Sequence, residues 1–229
     1  GVLNSGTLTT GTGLPALTNA GSTDPGWNLI GNPYPSAIDW DNVVVSQYSD
    51  LENAVYVYDN ASSTYYSYVD GVGTLTDGII PAMQGFFIHA DGPAPALTLE
   101  NADRVHSGTS QYKKNVTENL VHLKITGNNR GDETFIRFTD QATSGFDRSY
   151  DAYKLNGGSA VPTFYTMAGD LKLSVNSLPL SFLTGIVPLS VAAGVEAVYT
   201  ITLTGNTLSP ETRITLEDTK TGAIQPLSS

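Results

Sequence analysis

Apolar and polar residues alternate with a period of two through several short segments of this chain, and that pattern sets the fold class. Across residues 120–125, Val121, Leu123 and Ile125 share one face while His122 and Lys124 share the other. Residues 199–204 and 213–217 repeat the arrangement, the first with threonines on its open face. Successive side chains of a strand point to opposite sides, so each segment is expected to set one face on a core and one in water. Clusters of Gly, Asn, Asp, Ser and Pro separate the segments, and none carries a helical stripe over three turns. Strands at this spacing indicate sandwiches rather than a parallel α/β sheet. The expected fold is all-β, with two tandem β-sandwich domains, the second immunoglobulin-like.

Two domains follow from length, since 229 residues exceed the roughly 100–150 typical of one. The boundary is expected in the polar stretch 101–117, behind Gly92-Pro93-Ala94-Pro95. It divides a Gly-, Tyr- and Trp-rich domain, 1–108, from a Thr- and Leu-rich one, 109–229. Residues 1–25 read as a loosely held first strand and loop. The opening Gly1-Val2-Leu3-Asn4-Ser5-Gly6 has neither a signal peptide's charged start nor its apolar run, and no initiating Met precedes it. The expectation is a segment of a longer precursor, with the first domain lacking upstream strands. No apolar run approaches the ~18–20 residues that cross a bilayer, so no membrane insertion is expected.

Charge narrows the partners. Twenty-two acidic residues against 11 basic give a net charge of −11, which repels nucleic acid and anionic bilayers. Such a surface suits divalent cations, and acidic polysaccharides only where a cation bridges. The chain has no Cys, which removes disulfides, thiol nucleophiles and thiolate metal sites.

The phrase Gly26-Trp27-Asn28-Leu29-Ile30-Gly31-Asn32-Pro33-Tyr34-Pro35-Ser36-Ala37-Ile38-Asp39-Trp40 resembles one in large secreted and surface proteins of Bacteroidetes. There it lies in the β-sandwich region upstream of the type IX secretion sorting domain. Later phrases resemble the same region in the same order: residues 54–59, 80–88, 132–138, 146–147 with 150–155, and 216–222. The resemblance implies secretion or a cell-surface location and no catalytic residues. Within the first phrase, each Pro fixes its own φ and pushes its predecessor toward extended backbone. A rigid corner is expected after the strand 27–30, with Tyr34 and Trp40 packed over it.

Catalytic constellations are poorly represented. His89, His106 and His122 lie far apart, with no zinc spacing, nucleophile elbow or phosphate loop near them. Glycosidase-type carboxylate pairs could converge from many Asp and Glu residues, and none is singled out. Asp39 and Asp41, and the cluster Asp140, Asp147 and Asp151, offer oxygen ligands for a structural calcium. The alternative is that these residues cap turns. No other cofactor is expected. Tyr56, Tyr58, Tyr65, Tyr66 and Tyr68 fall on two strands joined by residues 59–64 and could form an outward platform for sugar rings. The competing reading packs them across strands, since a simple hairpin sets Tyr58 opposite Tyr65 but Tyr56 opposite Ser67. Phe86 and Ile88 read as core, worth roughly 1.5–3 kcal/mol each when buried.

The reading that results is a non-catalytic extracellular module serving as an adhesive or structural spacer. A carbohydrate-binding module attached to a polysaccharide-degrading enzyme is the alternative. Polysaccharide or neighbouring surface proteins are the expected partners.

Overall fold

Period-two segments become strands in the computed structural model, which describes residues 14–20, 25–105 and 117–227. The 108/109 boundary and His106 lie outside the described residues. The first half carries β1 (Trp27–Gly31), β2 (Ala37–Asp39), β3 (Tyr48–Ser49), β4 (Leu51–Asp59), β5 (Thr64–Val69), β6 (Val72–Gly73), β7 (Ile79–Ile80), β8 (Gly85–Ala90), β9 (Ala96–Leu97) and β10 (Arg104–Val105). The second carries β11 (Leu120–Gly127), β12 (Arg130–Phe138), β13 (Ala152–Tyr153), β14 (Thr163–Ala168), β15 (Leu171–Leu178), β16 (Leu189–Ala192), β17 (Thr200–Asn206), β18 (Ile214–Glu217) and β19 (Ile224–Leu227). Among the described residues there are short 3-10 turns and no α-helix. The protein is all-β.

A five-stranded antiparallel sheet, β1-β8-β4-β5-β6, organises the first unit. One of its faces carries Ile30, Val55, Val57, Tyr68, Phe86 and Ile88 into a core shared with Ile38 and Ile80 of the small sheet β10-β2-β7. Phe86 and Ile88 are fully buried. Asn32 pins the proline-flanked corner. Its side-chain amide donates to the carbonyls of Ser36 and Pro81, each at 2.9 Å, and its Oδ1 accepts the Tyr34 N–H at 3.0 Å. Tyr34 and Trp40 both enter the core; the Tyr34 hydroxyl donates to Leu99 O and the Trp40 indole to Asn53 O.

The second unit follows the path β16-β14-β15-β12-β11-β17, with β13 beside β15. All pairs are antiparallel except β12 with β15. Val121, Leu123 and Ile125 turn inward as their alternation requires and meet Ile136, Phe138, Phe164, Leu178 and Leu203. The 3-10 turn Leu180–Thr184 and the hairpin β18-β19 cover this core, contributing Phe182, Ile214 and Leu227.

The two units also share a core. The outer face of the five-stranded sheet sets Ala54, Tyr56, Val69 and Val72 against Phe135, Ala152 and Val175, with Trp27, Tyr65, Phe87 and Tyr153 packed around them. β4 is therefore buried on both sides: Val55, Tyr56 and Val57 are all buried. Polar bonds cross the same interface. Tyr153 N–H donates to the Tyr56 hydroxyl at 2.8 Å, and Ser67 Oγ lies 2.8 Å from Ser174 Oγ. Asn53 N–H donates to Arg148 O at 2.9 Å, and the Arg148 guanidinium to Leu51 O at 2.6 Å. Gly157 passes so close to the β4–β5 turn that a Cβ there would lie 2.6 Å from Ser63 O. Next to it, Gly158 N–H bonds that same oxygen at 2.7 Å.

Replacing Tyr56 by Phe keeps the ring and strips the Tyr153 N–H of its acceptor. Losing one such hydrogen bond costs about 0.5–1.5 kcal/mol, so the midpoint of urea unfolding of Tyr56→Phe is expected to fall accordingly.

Candidate functional site

Beyond the shared core the two sheets diverge, and the tips of two hairpins enclose an open cleft of about 750 Å³. Its first wall is the β4–β5 turn, from Asp59 through Ser62 to Tyr66; its second is β11–β12, with Lys124, Asn129, Arg130 and Glu133. The sequence dictates both turns. Asn128 and Asn129 take φ of 48° and 56°, the conformation that a two-residue hairpin loop needs and that asparagine tolerates. That loop pairs Gly127 with Arg130 and so sets Lys124 opposite Glu133. In the other turn, Asp59 accepts hydrogen bonds from Ser62 N–H at 2.9 Å, Ser62 Oγ at 2.5 Å and Ala61 N–H at 3.2 Å. These bonds, the Ser62 hydroxyl first, lower the Asp59 pKa below its ordinary value.

Glu133 is held from two sides. His122 Nε2 lies 2.8 Å from its Oε2, and Lys124 Nζ donates to its Oε1 at 2.6 Å. The His122 contact, followed by Lys124, outweighs burial and holds the Glu133 carboxyl at about 2. Behind it, Lys154 and Asp132 form a buried pair at 2.6 Å, and burial lowers the Lys154 pKa despite that partner. Arg130 stands at the rim, exposed, with one long bond to Ser62 O at 3.4 Å.

The five tyrosines do not form one platform, which corrects the sequence expectation. Tyr58 pairs with Tyr65 and Tyr56 with Ser67, the register anticipated from a simple hairpin, while Tyr66 and Tyr68 point to the opposite face. Tyr56 and Tyr68 are 0% and 2% exposed. The Tyr68 hydroxyl donates to Asp41 Oδ2 at 2.7 Å, and burial raises its pKa. Tyr65 and Tyr66 are half-buried and line the cleft; the Tyr66 hydroxyl donates to Asp59 Oδ2 at 3.3 Å. Tyr58 is 40% exposed, its ring 5.0 Å from that of Tyr65 and tilted by 59°.

Among known proteins, the chain matches over residues 1–229 a family described as a domain of unknown function, DUF8693. It belongs to that family. No curated protein and no solved structure matches it.

The acidic residues proposed as calcium ligands fall in two places in the DUF8693 chain, Asp39 and Asp41 on the first unit and Asp140, Asp147 and Asp151 on the second. Asp39 caps the 3-10 turn Trp40–Asn42 by accepting the Asp41 N–H at 3.1 Å, and Asp41 accepts from Tyr68. Asp140 is exposed on the second unit. Asp147 accepts the Thr143 N–H at 2.6 Å; Asp151, fully buried, accepts the Asp147 and Ser177 N–H groups at 2.7 and 2.6 Å. Asp39, Asp41, Asp147 and Asp151 thus serve the local backbone or a tyrosine, and among the described residues no group of three or more His, Asp or Glu converges. A further cluster joins His89 Nδ1 to Glu52 Oε1 at 2.9 Å, with the Tyr153 hydroxyl on the same oxygen at 3.1 Å. No helix among the described residues is long and apolar enough to cross a membrane.

Sequence reasoning passed over Arg130, Lys124 and Glu133 as a group. The Asn128-Asn129 turn was the available signal, because it fixes which side chains meet across β11 and β12.

Two carboxyls give opposite pH dependences. Glu133, held near 2 against an ordinary 4.5, adds stability above about pH 4.5 that is lost as pH falls through 2. Burial raises the Asp151 carboxyl from 3.8 to about 7, outweighing its two N–H bonds. Its contribution is full below pH 3.8 and disappears as pH rises through 7. Unfolding free energies of Glu133→Gln measured against pH are expected to lose the first dependence and keep the second.

Proposed function

We propose that the chain is a non-catalytic extracellular module of a larger secreted or surface protein, a rigid spacer that holds what flanks it at a fixed separation. The observation that carries this reading is the third core, which buries both faces of β4. Linked domains move relative to one another by default unless the interface between them is large and apolar. Here the interface is apolar at its centre, crossed by buried hydrogen bonds, and bracketed by the ion pairs Arg137–Asp70 at 2.6 Å and Arg148–Asp91 at 3.0 Å. The non-catalytic assignment draws support from the histidines at positions 89 and 122, each committed to a carboxylate that is held by further partners. Secretion or surface display rests on the resemblance of residues 26–222 to proteins that travel that route. The second unit is read as an immunoglobulin-like sandwich, a reading supported by its covered, largely antiparallel sheet.

The absence of cysteine makes the test clean. Val45 and Val198 are 74% and 89% exposed and lie on different units, so Val45→Cys with Val198→Cys accepts two spin labels and no others. Dipolar spectroscopy is expected to return one narrow distance distribution. A broad or two-peaked distribution would show hinged units and remove the spacer reading.

A further inference from the structure

The hairpin cleft has a chemistry the spacer reading does not use. Its lining holds Asp59, Asp132 and Glu133 against Lys124 and Arg130, with Lys154 behind Asp132. The charges balance locally in a protein whose net charge is −11. A polyanion finds no excess positive field there, and an apolar ligand would strip water from ionised groups. The carboxylates are already bonded by their own chain and so hold fixed positions, while donors remain. Arg130 makes one long bond among the described residues, and Lys124 Nζ spends one donor on Glu133. Aromatic surface adjoins these donors, since Tyr65 lines the cleft and Tyr58 packs on it, partly exposed.

Fixed acceptors, spare cationic donors and an adjoining ring suit a ligand with many hydroxyls and apolar C–H faces. A hydroxyl can donate to a carboxylate and accept from a guanidinium at once. The volume falls within the roughly 300–1,000 Å³ of ligand sites. We propose that the cleft between the β4–β5 and β11–β12 turns binds a neutral oligosaccharide chain that runs on past Tyr65 to Tyr58 beside the cleft, with Tyr58 stacking on a sugar ring and Arg130, Lys124 and Asp59 bonding its hydroxyls. This returns two of the tyrosines to the role anticipated for five, and places two of the three recognising charges, Lys124 and Arg130, on the other unit. It does not depend on the spacer reading, although the shared core is what holds the two walls in register.

The test is affinity electrophoresis of the whole chain in gels containing xylan, xyloglucan, galactomannan, mixed-linkage β-glucan or polygalacturonate. At least one neutral polysaccharide is expected to retard it. Tyr58→Ala and Arg130→Ala, both at exposed positions, are each expected to weaken that retardation at least tenfold with an unchanged melting temperature. Tyr165→Ala, on a strand away from the cleft, is expected to leave it intact. No retardation by a neutral polysaccharide, retardation by polygalacturonate alone, or retardation untouched by Tyr58→Ala and Arg130→Ala would each overturn the proposal. The spin-label distance, remeasured with Tyr58→Ala present, is expected to be unchanged, so failure here leaves the spacer reading standing.

Discussion

Tyr56 states the constraint on which the rest of the structure depends. It is a large ring with a hydroxyl, wholly buried on the face of β4 that looks away from the first unit's own core. Left in water, that face would expose Trp27, Tyr56, Val69 and Phe87 as one apolar patch. Covered by apolar groups alone, it would strand a phenol without a partner. β13 meets both demands. A register shift between Ala152 and Tyr153 releases the Tyr153 N–H to bond the Tyr56 hydroxyl, while the Tyr153 ring stacks on Phe146 at 4.7 Å and meets Trp27 edge-on at 6.0 Å. Burial pushes the Tyr56 pKa well up, so the phenol stays neutral and the bond persists across ordinary pH.

From this contact the cleft follows. The shared core fixes β5 against β13 and β15 and β6 against β12, and both hairpins run past its edge before they turn. Ser63 O, held by Gly158, anchors one turn from below. The Asn128-Asn129 loop presents Arg130 toward the other, where it reaches Ser62 O. Lys124 and Glu133 then face Asp59 and Tyr66 across open space as a consequence of sheet packing, with no loop dedicated to the purpose.

The strand pattern was legible because alternation is a local property. Residues 120–125 and 199–204 took the faces their periodicity assigned, and the register of Tyr58 on Tyr65 came out of hairpin geometry. The second covering of the first sheet was not legible. Alternation reveals that a face is apolar but not which element covers it, and tyrosines can be read as a wet platform or as a buried layer with hydrogen-bond partners. Asn32 was hidden for a similar reason: its acceptors near residues 80 and 81 come from a distant segment. The aspartates were ambiguous because a carboxylate that caps a turn and one that binds a cation occupy the same kind of loop. Asp151 shows which applies, its oxygens filled by Ser177 and Asp147 N–H groups.

The central claim is that the two units are one cooperative body because they share a core. Native-state hydrogen exchange tests it most directly. Val175 lies in the second unit yet shares a core with Ala54 and Tyr56 of β4. The account predicts that the slowest amides of β4 and β15 open with the same free energy in the parent protein. It also predicts that Val175→Ala lowers both by the same amount, on the order of 2 kcal/mol. Loss of protection in β15 with β4 unchanged would contradict it, leaving two independent sandwiches in mere contact.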